Sequence, residues 1–183
     1  MTTLYLIRHA HADWSTDDNR PLSKAGYAAA RALCEQLADY PITAIYSSPH
    51  RRVIETITPL AKHRALQPHL IADLRERELP PVGADEFERV VEETWRTPAL
   101  SVRGGEPNET AQARGVAIIR DLLARHVNEQ IVVATHGTLL ALMLNGFDQT
   151  YGYDFWRTLT LPDAYKLNYS GKLIAVHRIP PET

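Results

Sequence analysis

The 183-residue chain has one cysteine, Cys34, so it can form no intrachain disulfide and no cysteine-based metal site. A lone thiol fits a reducing cytosol. Long apolar runs are also missing, and none approaches the roughly 20 residues that span a bilayer as a helix. The amino-terminal Met1-Thr2-Thr3-Leu4-Tyr5-Leu6-Ile7-Arg8 has neither a basic leader nor an extended apolar core, so no signal peptide is expected. Charge of one sign is equally scarce. Lys and Arg number 20 against 22 Asp and Glu, giving a formal net charge of −2, and no basic run stands out. Nucleic acid and anionic membranes are therefore not expected partners. No repeat, linker or low-complexity tract divides the chain, and its composition is that of an ordinary soluble protein. The expectation is one domain over residues 1–183, cytoplasmic, as a monomer or a small oligomer such as a homodimer.

What is present is an alternation of strand and helix patterns. Thr3 to Arg8 is a continuous apolar strand of the kind buried on both faces, and Thr43 to Ser47 and Gln130 to Thr135 are two more. Ser23 is placed to cap a helix from Lys24 to about Asp39. Further helices are expected from Arg51 to His63 with Pro59 as a kink or stop, from Asp85 to Arg96, from Glu109 to about Val127 behind a capping Asn108, and from Thr138 to about Leu144. A short strand is expected within Leu66 to Asp73, and residues 159–168 and 172–178 pattern as a terminal hairpin. These elements imply a single three-layer α/β/α domain with a mostly parallel central sheet.

The chemistry gathers where the apolar strands end. In open α/β sheets that edge is where ligands bind. Arg8-His9 follows the first strand, Arg51-Arg52 follows the second, and His136-Gly137 follows the third. Arginine forks bind phosphate oxygens bidentately and stay charged, and a neutral imidazole can accept a phosphoryl group near pH 7. A carboxylic acid such as Glu76 can protonate a leaving oxygen. Gly137 at a helix start would let backbone N–H groups approach the phosphate.

At these residues the chain resembles the histidine phosphatase (phosphoglycerate mutase-like) superfamily. The matching segments are Leu6-Ile7-Arg8-His9-Ala10, Ser47-Ser48-Pro49-His50-Arg51-Arg52-Val53-Ile54-Glu55-Thr56, Leu74-Arg75-Glu76, Gly104-Gly105-Glu106 with Arg114, and Val133-Ala134-Thr135-His136-Gly137. They occur in the family's order and span residues 4 to about 140. The resemblance implies that His9 is the nucleophile, that Arg8, Arg52 and His136 bind the phosphoryl group, and that Glu76 is the proton donor. Ser15 stands where many members place a phosphate-contacting Asn. Ala10 replaces the family's usual Gly, and Pro107 its usual Ser.

His9-Ala10-His11 also matches an H-x-H metal pair, but that assignment leaves Arg8 beside a metal cation, which is unfavourable. No metal and no cofactor are expected, and His11 is expected to line the pocket or face solvent. The compact insertions and short carboxyl terminus favour an open, hydrolytic site. The expected activity is therefore phosphatase action on a small-molecule phosphomonoester. The alternatives are a phosphohistidine-protein phosphatase, which the Asn19-Arg20-Pro21-Leu22-Ser23 segment resembles, and mutase-type phosphoryl transfer.

Overall fold

A computed structural model of the protein describes residues 1–15, 17 and 19–180; residues 181–183 of the expected domain lie outside the described residues. Six strands, β1 (Thr2–Arg8), β2 (Ile42–Ser47), β3 (His69–Leu70), β4 (Gln130–Thr135), β5 (Asp163–Tyr169) and β6 (Leu173–Ile179), form one sheet in the order β3-β2-β4-β1-β5-β6. β1, β2, β3 and β4 run parallel, and β5 and β6 close the other side as an antiparallel hairpin. Helices α1 (Lys24–Leu37), α2 (Arg51–His63), α3 (Ala84–Arg96), α4 (Asn108–Arg125), α5 (Gly137–Asn145) and α6 (Tyr153–Arg157) complete the chain.

The two-residue period of a strand explains the layers. On β1, Leu4 and Leu6 join one core with Ile131 and Val133 of β4, against Ile119 and Leu122 of α4 and Leu139, Leu140 and Met143 of α5. Tyr5 and Ile7 face the other way with Val132 and Ala134, against Leu33 and Leu37 of α1 and Val53, Ile57 and Leu60 of α2. Leu4, Tyr5, Leu6 and Ile7 are all fully buried. Each contributes roughly 1.5–3 kcal/mol, so the strand that carries the site is also a centre of stability. On β2 the alternation breaks at Thr43, where the register against β4 shifts and brings Ile42 and Ile45 to the same face.

The register also sets the site. Arg8 pairs with Thr135 and Ser47 with Ala134, so His9, His136 and the chain leading into α2 all emerge at one edge. Ser23 caps α1 as expected, its Oγ accepting the Gly26 N–H at 3.0 Å, while Ser23 N–H donates to His11 O at 2.9 Å. This ties the loop after His9 to the start of α1.

Three expectations need correction. Pro59 does not end α2, because buried residues on both sides of it, Val53, Ile57, Leu60 and Ala61, hold the helix through to His63. The strand expected within Leu66 to Asp73 shrinks to two residues and is followed by a 3-10 turn at Ala72–Leu74. Asn108 is the first residue of α4 rather than its cap, and its amide turns inward to donate to Thr94 O at 3.0 Å. The short helix α6 carries no capping side chain or apolar periodicity that would have announced it.

Candidate active site

His9 leaves β1 with its backbone N–H on Thr135 O at 3.1 Å. Its Nδ1 lies 2.7 Å from Ala10 O. A carbonyl can only accept, so Nδ1 carries the proton and Nε2 keeps its lone pair. Arg52 aims its Nε–H at that nitrogen from 3.4 Å. Burial, joined by the positive charges of Arg52, Arg8 and Arg20, pushes the His9 pKa down to about 3 against the opposing pull of the Ala10 hydrogen bond. The ring is therefore neutral at physiological pH.

His136 follows β4 and is 1% exposed. Arg52 Nη2 donates to its Nδ1 at 3.2 Å, so Nε2 bears the proton and donates to Ser48 Oγ at 2.9 Å. Ser48 Oγ also meets His50 Nδ1 at 3.1 Å. The His136 pKa lies well below the ordinary histidine value, chiefly through burial and then through His9 and Arg52. The two rings meet edge to face at 5.3 Å between centroids. Arg52 thus touches both histidines from the first turn of α2, with 5% of its surface exposed. Arg51 instead pairs with Glu55 on the surface at 2.7 Å.

Arg8 donates Nη1 to Leu159 O at 3.0 Å and to Thr160 O at 3.3 Å. Its guanidinium lies against the backbone of Gly137, where a Cβ would come within 2.9 Å of Cζ and Nε. Gly137 is required here for this close approach. Of the N–H groups at the start of α5, those of Thr138 and Leu139 are taken by a side chain. Thr138 N–H donates to Glu76 Oε2 at 3.0 Å and Leu139 N–H to Glu76 Oε1 at 2.9 Å, so the chain's own carboxylate occupies the positive end of α5. Arg77 N–H adds a third bond to Oε1 at 2.9 Å.

Ser15 turns its hydroxyl into its own loop, accepting Asp17 N–H at 3.1 Å. His11 Nδ1 shares a hydrogen bond of 2.8 Å with Ser23 Oγ. Among the described residues, no group of three or more His, Cys, Asp or Glu side chains is placed to hold a metal ion. No described helix is long and apolar enough to cross a membrane.

Sequence reading left two features out. Arg20 adds positive charge at His9, and its only signal was the Asn19-Arg20-Pro21 segment. Asp163 anchors the loop that holds Arg8. It forms a two-bond pair with Arg178 at 2.9 and 2.8 Å and accepts Thr160 N–H at 3.0 Å. Among the described residues, the Nε atoms of Arg8, Arg20 and Arg77 are buried without a partner. Buried donors of this kind are costly unless an acceptor arrives, and the oxygens of an anionic ligand are such acceptors.

The model of the histidine phosphatase superfamily (branch 1) matches residues 4–178. Phosphoserine phosphatase 1 of Hydrogenobacter thermophilus is 26% identical over 153 residues, covering 74% of this chain and 71% of that protein. Among solved structures, YhfR of Bacillus stearothermophilus superposes with a TM-score of 0.79 at 23% identity, covering 95% of each chain. A mycobacterial glucosyl-3-phosphoglycerate phosphatase superposes with a TM-score of 0.76 at 20% identity, covering 96% of each.

Proposed function

This chain belongs to the histidine phosphatase superfamily, as a phosphatase of the hydrolase class, and from that membership we propose that it cleaves a small phosphorylated metabolite through a phosphohistidine at His9, without metal. One observation carries the reading. Nδ1 of His9 is committed to Ala10 O, and the unprotonated Nε2 faces Arg52, whose Nε–H it accepts at 3.4 Å. The attack forms an N–P bond at Nε2 and breaks the P–O bond to the alcohol. Arg8, Arg20 and Arg52 bring the positive charge that compensates the phosphoryl oxygens. His136, already hydrogen-bonded to Arg52, belongs to the same phosphoryl pocket.

Glu76 is the proposed acid. Its carboxyl protonates the departing alkoxide. As carboxylate it then takes a proton from the water that attacks phosphohistidine, releasing inorganic phosphate and restoring His9. Three backbone N–H bonds fix the carboxyl group, and Oε2 accepts only one of them, leaving a lone pair for the proton. Phosphoserine, named for the similar Hydrogenobacter enzyme, is an alkyl phosphate of the class that needs such help.

The test is a panel of small phosphomonoesters assayed in excess chelator, with and without vanadate. Turnover that survives chelation and is inhibited by vanadate is expected. Loss of turnover on chelation, restored by zinc, would return the His9/His11 metal pair to consideration.

A further inference from the structure

The segment that carries Glu76 has no regular structure of its own between the 3-10 turn at Ala72–Leu74 and α3. The four carbonyls from Asp73 to Glu76 nevertheless all find donors. Leu74 O accepts Thr135 Oγ1 at 2.7 Å, from the end of β4. The other three go to one side chain. Arg114, on α4, donates Nη1 to Asp73 O and to Arg75 O, the latter at 3.0 Å, and Nη2 to Glu76 O at 3.2 Å. The fork is held from behind by Glu106, through Nε to Oε1 at 2.7 Å and Nη2 to Oε2 at 2.8 Å. Both side chains are nearly buried, at 11% and 8% exposure. Glu106 also grips the far side of Glu76, its backbone N–H on Glu78 O at 2.9 Å and its Oε2 on Glu78 N–H at 3.2 Å.

We infer that Glu106 and Arg114 are positioning residues for the acid, a clamp that holds the backbone on both sides of Glu76 so that its carboxyl sits at the start of α5 beside Arg8. Only arginine supplies enough donors in a rigid plane to bind three carbonyls and a carboxylate together. The pair spans from α4 to the acid-bearing loop, and the five hydrogen bonds that Arg114 donates go to that loop and to Glu106. Arg114 also adds positive charge near His136, an effect both kinds of ester would feel, whereas its hold on Glu76 acts on the leaving group. The inference rests on Glu76 being the acid.

A purely structural ion pair would affect all substrates alike, whereas a clamp on the acid would not. Arg114→Lys keeps the charge and removes the fork. It should lower kcat on glycerol phosphate, an alkyl ester, by about 10–10²-fold, the scale of a catalytic group displaced by about 1 Å. It should leave 4-nitrophenyl phosphate, whose leaving group scarcely needs a proton, within a few-fold. Should Arg114→Lys fold poorly, Glu106→Gln loosens the same fork without removing the guanidinium and reads the same ratio. Glu76→Gln is run in parallel, and Glu76→Gln/Arg114→Lys should lose nothing further on the alkyl ester. Equal losses on both esters in Arg114→Lys, beside a selective Glu76→Gln, would overturn the clamp. A Glu76→Gln variant without selectivity would overturn the acid reading, and the clamp with it.

Discussion

A methyl group added at Gly137 tests the phosphate pocket with little cost to the fold. Its Cβ would lie 2.9 Å from Cζ and Nε of Arg8 and 3.1 Å from Nη2. Non-bonded carbons rest at about 3.5–4.0 Å, so the guanidinium must retreat by at least about 0.6 Å, the difference between 3.5 and 2.9. What yields is the end of a flexible side chain, while the backbone around α5 stays in place. Alanine also favours helix over glycine by up to about 1 kcal/mol, so the melting temperature of Gly137→Ala should hold or rise slightly. The retreat pulls Arg8 away from the phosphoryl oxygens while Nη1 remains tied to Leu159 O and Thr160 O. A misplacement of about 1 Å can cost 10²-fold, so a loss in kcat/KM of about 10–10²-fold is expected. The assay is 4-nitrophenyl phosphate turnover, with inorganic phosphate as inhibitor and a thermal melt alongside. Phosphate affinity should weaken together with kcat/KM. Unchanged phosphate affinity in a folded Gly137→Ala enzyme would refute the placement of Arg8 against the phosphoryl group.

Two further outcomes concern stability. His9, lowered to about 3, and His136 both have folded pKa values below their unfolded ones. Their contribution is fully present above about pH 6.5 and is lost as pH falls toward the folded values, at no more than about 1.4 kcal/mol per pH unit for each ring. Urea midpoints should therefore drop between pH 7.5 and 5, and saturating phosphate, which favours imidazolium, should flatten that slope; a flat profile without phosphate would contradict the neutral pair. A Cβ at Gly26 would lie 2.0 Å from His11 O, a backbone atom. Gly26→Ala should lose at least about 3 kcal/mol, the upper end for overpacking, and a urea midpoint equal to the parent's would show that the loop after His9 is not packed on α1 as described.

The parts that could be read from sequence are those set by short-range pattern. Arg8-His9 and His136 lie at the ends of apolar strands and Arg52 in the first turn of the helix that follows one, and parallel pairing of those strands brings their ends together wherever they lie in the chain. The capping of α5 by Glu76 was not readable in this way. The N–H groups it accepts lie 62 and 63 residues further on, and nothing local to Glu76 signals a helix end. Arg114 is similar, because its carbonyl partners lie 38 to 41 residues away and any surface arginine on a helix has the same local pattern. Asp163 acts through Arg178 and Thr160, a contact made only once the hairpin forms. Pro59 misled for the opposite reason, since a local breaking signal was overridden by burial on both sides of it.

The central claim is that the phosphoryl group passes through Nε2 of His9. Enzyme quenched in alkali during turnover of a phosphomonoester should carry alkali-stable, acid-labile phosphate. Peptide mass spectrometry should place it on His9, and His9→Ala, folded to the parent's melting temperature within a few degrees, should carry none. Phosphate found on His136 instead, or turnover persisting in His9→Ala, would contradict the account.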